Sequence, residues 1–484
     1  MTSPDTHAPV PGAAVLGAGQ VAGTPAAAGA AITRLAAEAL RRGEGLLRNI
    51  LAGTDERARS QRNAVAAFAI RVASAGLLYL TQILLANWMG GYEYGIYVFV
   101  WTWVLVLGGL VPLGLNVVAM RMVPEYRETG DLARLGGLTR GLNLLILAVG
   151  TLVALIGVAG LWLAEDTVAH YHLLPGYLAL ICVPLYALGD LQDGFGRGRG
   201  SMGVALVPPY ILRPLLVLVA MVIAHDLGLP MSAATAAGAA IIATWASAIL
   251  QTVLIHQRTA AETAHTTAQL QYDFGHWLRT AAPLFIIVAC GLVLQSADVL
   301  VVSAYLTPTD VGIYFAAAKT MSLIMFVHYA VGSAVANRFS ALNARGDKAA
   351  LAACARDAVH WTFWPSLVAA LAILALGQPL LWLFGPQFVS GYPVMLILVV
   401  GFLLRSAMGP AEFLLNMLGE EKRCAAAMVA TAAINIALTF ILVPRFGLVG
   451  AAAATSASLV LLSFLEYAIV RTRLGLDIAI WRAL

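Results

Sequence analysis

Long apolar stretches separated by short polar segments run through almost the whole chain after residue 63. A helix rises about 1.5 Å per residue, so about 20 apolar residues cross the roughly 30 Å hydrocarbon core of a bilayer. Windows of this length therefore predict an all-α polytopic membrane protein with twelve transmembrane helices. The predicted helices cover residues 64–86, 97–119, 140–163, 174–193, 203–224, 231–255, 280–305, 313–335, 359–383, 392–416, 424–444 and 447–470.

The apolar pattern contains an internal repeat. Tyr94-Gly95-Ile96-Tyr97 and Val311-Gly312-Ile313-Tyr314 open two predicted helices 217 positions apart, and Arg121 and Arg338 close them at the same offset. Gly130-Asp131 recurs as Gly346-Asp347 after a deletion of one residue. Two homologous halves in a membrane are typical of transporters, so the pattern predicts two related bundles of six helices.

The repeat and the loops divide the chain into five predicted regions. These are a cytoplasmic tail at 1–63, a first bundle at 64–256, a linker at 257–279, a second bundle at 280–470 and a C-terminal tail at 471–484. Residues 1–30 are rich in Ala, Gly and Pro, which predicts disorder. Apolar residues then fall on one helical face from Ile32 to Leu51, which predicts an amphipathic helix on the inner leaflet or, alternatively, a solvated helix without membrane contact.

The charges of the loops predict the orientation. Even-numbered loops are basic, whereas the odd-numbered loops together hold one basic residue, Arg445. The basic loop residues are Arg127, Arg134, Arg197, Arg199, Arg258, Arg279, Arg345, Lys348, Arg356, Lys422 and Arg423. Because short cytoplasmic loops are enriched in Lys and Arg, both termini are predicted to be cytoplasmic.

Composition narrows the possible functions. Apolar residues make up 60% of the chain and charged residues 11%, with a mean hydropathy of +0.84. The net charge of +4 is spread over the inner loops, so nucleic acid is not an expected partner. The four cysteines (Cys182, Cys290, Cys354 and Cys424) have no paired spacing, which favours a role as small apolar residues.

The loops also argue against an enzyme. The longest outer loop offers His170 and His172 with two neighbouring acids, but this spacing does not match a zinc site. The glycine-rich segment 194–200 lacks the Lys-Ser/Thr pair of a nucleotide-binding loop, so ATP-driven pumping by this chain is excluded. No catalytic residues and no firm metal site are predicted.

Ionisable residues inside the predicted helices are candidate site residues, because each costs several kcal/mol unless it is paired or hydrated. Arg405 lies midway along the tenth helix, before the helix-breaking pair Gly409-Pro410. It is either a cation of a central cavity or the structural partner of an acid on a neighbouring helix. With Arg71 and Arg213 it would give the cavity a positive lining suited to phosphate or pyrophosphate.

Asp298 and Lys319 lie at comparable predicted depth in the second half. They could form a buried ion pair, or Asp298 could join the oxygens of Asn435, Thr439 and Thr455 in a cation site. Three further polar residues, His328, Asn337 and Gln295, are expected to form interhelical hydrogen bonds. Glu466, near an inner helix end, is expected to reach water.

Three segments carry a resemblance to a known family: residues 91–97, residues 298–314 and residues 414–451. Over residues 64–470 the chain resembles the Wzx-type flippases of O-antigen and exopolysaccharide biosynthesis, within the multidrug, oligosaccharidyl-lipid and polysaccharide exporter superfamily. The resemblance implies two pseudo-symmetric six-helix bundles around a central cavity that opens alternately to the two sides of the membrane.

The resemblance also implies a function and a location. The expected substrate is an undecaprenyl-pyrophosphate-linked oligosaccharide repeat unit, moved from the cytoplasmic to the periplasmic leaflet of the bacterial inner membrane. Membrane lipids, a polysaccharide polymerase and other assembly proteins are the expected partners. A cation-coupled multidrug exporter and a non-transporting component of a polysaccharide synthesis complex are the alternatives.

Related lipid II flippases place a sodium ion in the second bundle, at positions similar to Asp298, Asn435, Thr439 and Thr455. The match is partial, since Thr439 stands where a second acid is expected. No cofactor is expected, and coupling to Na⁺ or H⁺ remains open.

Overall fold

The computed structural model describes residues 56–263 and 269–483, with side chains at 70–262, 269–336 and 338–482. The predicted disordered segment and amphipathic helix of the N-terminal tail lie outside these ranges. Every regular element in the described ranges is helical, so the predicted all-α membrane fold is confirmed.

The first half is built from seven α-helices. They are α1 (Glu56–Leu110), α2 (Leu115–Glu128), α3 (Leu132–Leu163), α4 (His170–Gly198), α5 (Met202–Val207), α6 (Arg213–Asp226) and α7 (Ala233–Thr263). A π-helical turn, Pro208–Leu212, joins α5 to α6. Helix α4 is central to this half, because it packs against α2, α3 and α7.

The second half contains nine α-helices. They are α8 (Phe274–Tyr305), α9 (Pro308–Ser322), α10 (Met325–Ala344), α11 (Lys348–Ala375), α12 (Gly377–Trp382), α13 (Tyr392–Ala407), α14 (Ala411–Met417), α15 (Glu421–Ile469) and α16 (Ile480–Ala483). A 3₁₀ segment, Pro386–Gly391, precedes α13, and a π-helical turn, Val470–Leu474, follows α15. Helix α15 packs against both α8 and α13.

Ten helical segments within the described residues are long and apolar enough to cross a membrane, and two of them fold back on themselves. Tyr94 donates a hydrogen bond of 2.9 Å to Gln82, although residues 12 apart would be about 18 Å apart in a straight helix. The chain reverses between them at Gly90, where φ is +73°. Asn435 and Ser458 are likewise 3.1 Å apart on either side of Gly447, where φ is +58°. If α1 and α15 are each counted as two segments at these glycines, the ten become twelve, and the predicted number of twelve crossing helices stays a prediction.

The repeated Gly-Asp pair marks equivalent helix starts. Gly130 and Gly346 have positive φ angles of 71° and 69°, which glycine adopts without steric cost. Asp131 then accepts a hydrogen bond of 3.1 Å from the backbone of Arg134, and Asp347 accepts one of 2.9 Å from Ala350. A side-chain acceptor at this position satisfies a free N–H of the first helical turn. The repeat in the sequence is therefore a repeat of two capped helices.

The two halves meet at one end of the molecule, which we call the outer end because it is opposite the basic loops. A Cβ placed on Gly95 would lie 1.6 Å from the carbonyl oxygen of Pro308, and one placed on Gly312 would lie 3.5 Å from the Cα of Gly95. Tyr94 packs edge-on against Phe388, with ring centroids 5.9 Å apart. The repeated motif thus forms a close contact between its own two copies.

The opposite, basic end of the first half is held by a small ion cluster. Arg127 and Arg199 both lie beside Glu262, with nitrogen-to-oxygen distances of 3.4 and 3.5 Å, and Arg199 also donates to the Thr259 hydroxyl. Burial lowers the pKa of the Arg199 guanidinium from its usual value, and Glu262 counteracts this effect. The cluster ties α2, the end of α4 and α7 together.

Candidate functional site

A cavity of about 220 Å³ lies between the two halves of the fold. Asn116, Tyr186 and Asp190 line it from the first half, and Gln295 and Lys319 line it from the second. Polar and charged side chains at this depth are costly in lipid but stable beside water or a polar ligand. The cavity is therefore the first candidate for a binding site.

A smaller cavity of about 50 Å³ adjoins the same wall within the first half. It shares Tyr186 and Asp190 with the larger cavity and adds Asp193, Tyr210 and Arg213. Thr244, Ser247 and Gln251 of α7 complete its lining. The polar surface thus continues from the interface into the first half.

Arg213, predicted as a cation of a central cavity, lines the smaller cavity. The Pro208-Pro209 pair leaves two backbone positions without an N–H, and the helix widens there into the π-helical turn that ends just before Arg213. Its guanidinium carbon is 4.9 Å from the centre of the Tyr186 ring and 5.8 Å from that of Trp101. Cation–π contacts of this kind position the charge without neutralising it.

Arg71 is exposed and lies near the same wall. Its guanidinium carbon is 5.7 Å from the centre of the Tyr210 ring. Within the described part of the chain, Arg71, Arg213 and Lys319 have no carboxylate within 4.0 Å. These three cations are therefore available to an anionic ligand.

Arg405 is not such a cation. Its side chain is 7% exposed and lies between two carboxylates, with Nη2 3.0 Å from Oε2 of Glu412 and Nη1 3.6 Å from Oε2 of Glu466. The structure thus favours the second interpretation, a partner of acids on neighbouring segments. The expectation that Glu466 reaches water is wrong, because its side chain is 4% exposed and packs beside Arg405.

Two acids of the site were not singled out in the sequence. Asp190 accepts a hydrogen bond of 2.8 Å from the side-chain amide of Asn116, and Asp193 forms a two-point ion pair with Arg197 at 2.7 and 2.9 Å. Both acids lie near the inner end of the predicted helix at residues 174–193. The available signal was their i, i+3 spacing on α4, which places both on one helical face.

Asp298 is held by neutral groups. Tyr314 donates to its Oδ2 at 2.7 Å, Thr455 lies 3.3 Å from the same oxygen, and the backbone N–H of Val299 donates to Oδ1 at 2.8 Å. The predicted ion pair with Lys319 is not formed, since none of the ion pairs in the described ranges joins these residues. Lys319 instead lies 5.1 Å from the centre of the Phe315 ring.

The other predicted partners of Asp298 lie in separate hydrogen bonds. The side-chain amide of Asn435 donates to the Ser458 hydroxyl at 3.1 Å, and the Thr439 hydroxyl donates to the backbone carbonyl of Asn435 at 2.7 Å. The structure therefore joins Asp298 with Thr455 alone of the three oxygen-bearing residues proposed for a cation site. In the described ranges no group of three or more His, Cys, Asp or Glu residues is arranged to hold a metal ion.

Of the three residues expected to form interhelical hydrogen bonds, His328 departs from the expectation. Gln295 lines the cavity between the halves. His328 is buried between Tyr329 and Phe413, and neither ring nitrogen has a hydrogen-bond partner among the residues that the structure describes. The side chain of Asn337 lies outside the described set.

Similarity to known structures is found across most of the chain. An inward-facing multidrug resistance MATE family transporter of the MOP superfamily superposes with a TM-score of 0.68, at 12% identity, over 84% of this chain and 98% of that one. The lipid II flippase MurJ, in an inward closed conformation, gives a TM-score of 0.68 at 16% identity, over 84% and 88% of the two chains. These similarities establish the transporter fold.

Sequence similarity identifies the family. The "Probable low-salt glycan biosynthesis flippase Agl15" of Haloferax volcanii is 26% identical over 162 residues, which cover 33% of this chain and 34% of that protein. The match therefore spans about a third of the length of this curated relative. The family described as "Polysaccharide biosynthesis protein" matches residues 60–342, which is more than half of the 484 residues. The chain belongs to this polysaccharide biosynthesis protein family.

Proposed function

We propose that this protein is a flippase that moves an undecaprenyl-pyrophosphate-linked oligosaccharide repeat unit from the cytoplasmic to the periplasmic leaflet of a bacterial inner membrane. The observation that carries the proposal is the polar cavity between two homologous halves, closed by the repeated motif at the outer end. A cavity between such halves can be presented to each side of the membrane in turn when the halves rock against each other.

The charges on the cavity wall match the two chemical parts of such a substrate. Arg71 and Arg213 have guanidinium groups free of carboxylates, and guanidinium binds phosphate oxygens with two parallel hydrogen bonds. Asn116, Asp190 and Gln295 offer amide and carboxylate groups that can hydrogen-bond sugar hydroxyls. The lipid tail would remain in the bilayer while these groups bind the polar head.

The orientation follows from the basic loops, which the positive-inside rule places in the cytoplasm. With the outer end closed, the described conformation would receive substrate from the cytoplasmic leaflet. Membrane lipids, a polymerase and other assembly proteins are the partners that this role implies.

The test is leaflet exchange in liposomes that contain the purified full-length protein. A polyprenyl-pyrophosphate-linked oligosaccharide is incorporated, and its accessibility to an impermeant sugar-oxidising reagent is followed with time. Arg213→Ala should slow exchange by about ten- to a hundredfold, the equivalent of about 1.5–3 kcal/mol for a lost charged hydrogen bond. Arg213→Lys should restore part of the rate, because it keeps the charge but not the bidentate geometry.

Arg423→Ala is the matched control, since this arginine pairs with Glu420 at the surface, outside the cavity. It should exchange at the parent rate. No exchange above empty liposomes in the parent protein would contradict the proposal and favour a drug exporter or a non-transporting assembly component. Equal slowing of exchange by Arg213→Ala and Arg423→Ala would show that Arg213 is not part of the binding site.

A further inference from the structure

A second cluster of charged residues lies inside the second half, away from the cavity wall. Arg405 near the end of α13 contacts Glu412 on α14 and Glu466 on the second arm of α15. We call these three residues the Arg405 triad. The proposed substrate-binding residues do not include it.

The triad contains two carboxylates for one guanidinium. Three titratable groups on the helices packed around the triad face it: His328 and Tyr329 of α10 and Cys424 of α15. The rings of His328 and Tyr329 also lie beside the Phe413 ring of α14. Within the described ranges, neither carboxylate has a second cation within 4.0 Å. If both glutamates were ionised, the buried triad would carry a net negative charge, which is strongly unfavourable away from water.

The two glutamates are not equivalent. Glu412 is 27% exposed and forms a hydrogen bond of 3.0 Å with Arg405. Glu466 is 4% exposed, its nearest approach to Arg405 is 3.6 Å, and its Oε1 has no hydrogen-bond partner among the described residues. A neutral carboxylic acid tolerates such a position far better than a carboxylate does.

Glu412 lies on a segment that is separated from the rest of its helix. Gly409 has a φ of +65° and Pro410 precedes α14, so the helical hydrogen bonds are interrupted between Arg405 and Glu412. A Cβ on Gly332 of α10 would lie 2.5 Å from the Phe413 ring, so α14 packs tightly on α10. Between α9 and α10, Leu323 and Ile324 keep helical backbone angles but form i to i+3 hydrogen bonds, so the helix is locally tightened there. The interruption at Gly409 and Pro410 would act as the hinge if α14 moves relative to Arg405.

We propose that the Arg405 triad is a proton-binding site that couples H⁺ to the conformational change of the carrier. In the described conformation Glu466 holds the proton and ionised Glu412 pairs with Arg405. When α14 moves Glu412 into water, Glu466 releases its proton to water and replaces Glu412 as the anionic partner of Arg405. One proton is released for each such movement, and the buried part of the triad stays neutral in both states.

The role of this coupling in transport rests on the proposed flippase function, whereas proton binding by the triad does not. Proton binding and the movement of α14 are linked reciprocally, as any two coupled equilibria must be. Acidification therefore favours the conformation in which Glu412 contacts Arg405. Raising the pH favours the conformation in which Glu412 is released.

Infrared difference spectroscopy on the full-length protein in lipid nanodiscs tests the site without any substrate. A protonated carboxyl group has a carbonyl stretch that a carboxylate lacks. At neutral pH, Glu466→Gln should remove one such band from the parent spectrum. Glu412→Gln should remove the same band, because Glu466 would then ionise to pair with Arg405. Glu420→Gln, at the exposed ion pair with Arg423, is the matched control and should leave the band unchanged.

Two results would overturn the proposal: a parent spectrum with no band assigned to Glu466, or a band that persists in Glu412→Gln. If Glu466→Gln does not fold, Glu466→Asp keeps the acid and should shift the band instead of removing it. A shift absent from a folded Glu466→Asp protein would equally exclude Glu466.

Liposomes with an imposed pH gradient test the coupling. The exchange rate of the polyprenyl-pyrophosphate-linked oligosaccharide should depend on the gradient in the parent protein and in Glu420→Gln, and this dependence should be lost in Glu466→Gln. A gradient dependence retained in Glu466→Gln would overturn the coupling. Absence of exchange in every protein, with the expected infrared result, would refute the flippase function while supporting the proton site.

Discussion

Substitution of Gly95 by alanine tests whether the repeated motif holds the outer end closed. The added methyl carbon would lie 1.6 Å from the carbonyl oxygen of Pro308 and 3.2 Å from the backbone nitrogen of Gly312. Both neighbours are backbone atoms of α9 and cannot rotate away. For the methyl carbon to lie even 3.0 Å from that oxygen, the backbone of α1 at Gly95 must move away from α9 by about 1.4 Å.

Overpacking of this kind costs about 1–3 kcal/mol in a well-packed interface. This cost falls on the closed conformation alone, because the contact exists only when the two halves meet at the outer end. The ratio of closed to open molecules should therefore fall by about 5- to 150-fold. The change in helix propensity from glycine to alanine is favourable and acts in both conformations, so it does not shift this ratio.

Distances between two spin labels measure the shift directly. The four native cysteines are first replaced, and cysteines introduced at Tyr92 and Ser390 then carry the labels. Both positions are exposed and lie near the outer end, one on each half. Gly95→Ala should add a population with a longer distance. Gly76→Ala is the matched control, since a Cβ at this exposed helical position meets no atom within 4 Å. An unchanged distance distribution in a folded Gly95→Ala protein would refute the role of this contact in closure.

Three further substitutions test individual contacts through the free energy of unfolding. Asn116→Ala removes the amide that donates to Asp190 and should lower stability by about 1 kcal/mol in a denaturation titration; unchanged stability would mean that water replaces the amide fully. Tyr314→Phe removes the 2.7 Å hydrogen bond to Asp298 and should cost about 1 kcal/mol, more than Thr455→Val, whose bond is 3.3 Å; the reverse order would contradict the geometry. Trp277→Phe removes the 3.1 Å hydrogen bond to Tyr126 and leaves a buried void, so the midpoint temperature of thermal unfolding should fall. Trp382→Phe, at an exposed tryptophan, should leave this temperature unchanged, and equal effects of the two substitutions would argue against the contact.

The membrane fold could be predicted because it depends on averages and on local signals. A run of about 20 apolar residues is sufficient to identify a crossing helix, whatever its neighbours are. Helix starts were less accurate, since the helix predicted at 140–163 begins at Leu132, where Asp131 caps it. The motif at residues 94–97 and its copy at 311–314 identified the symmetry directly, because their positions in the sequence are sufficient to show it.

The candidate site could be predicted only in part, because the partner of a buried charge depends on how helices rotate against each other. Arg213, predicted from its charge and depth as a cavity cation, lines the smaller cavity of the first half, and its role in binding stays a prediction. Arg405 has similar charge and depth, yet it faces Glu466, which is 61 positions away and belongs to another helix. Nothing local to residue 405 specifies that contact. Asp190 was missed for the same reason, since its partner Asn116 is 74 positions away.

The contact between Gly95 and Gly312 joins positions that are 217 residues apart, the same offset that relates the two halves. Each glycine thus meets its own counterpart, which in a symmetric complex occurs only on the two-fold axis. A separate six-helix half carrying this motif would have a self-complementary surface and could join a second copy of itself as an isologous dimer. Fusion into one chain removes the dependence of this assembly on protein concentration and leaves each half free to acquire its own charges, as Asp190 and Lys319 illustrate.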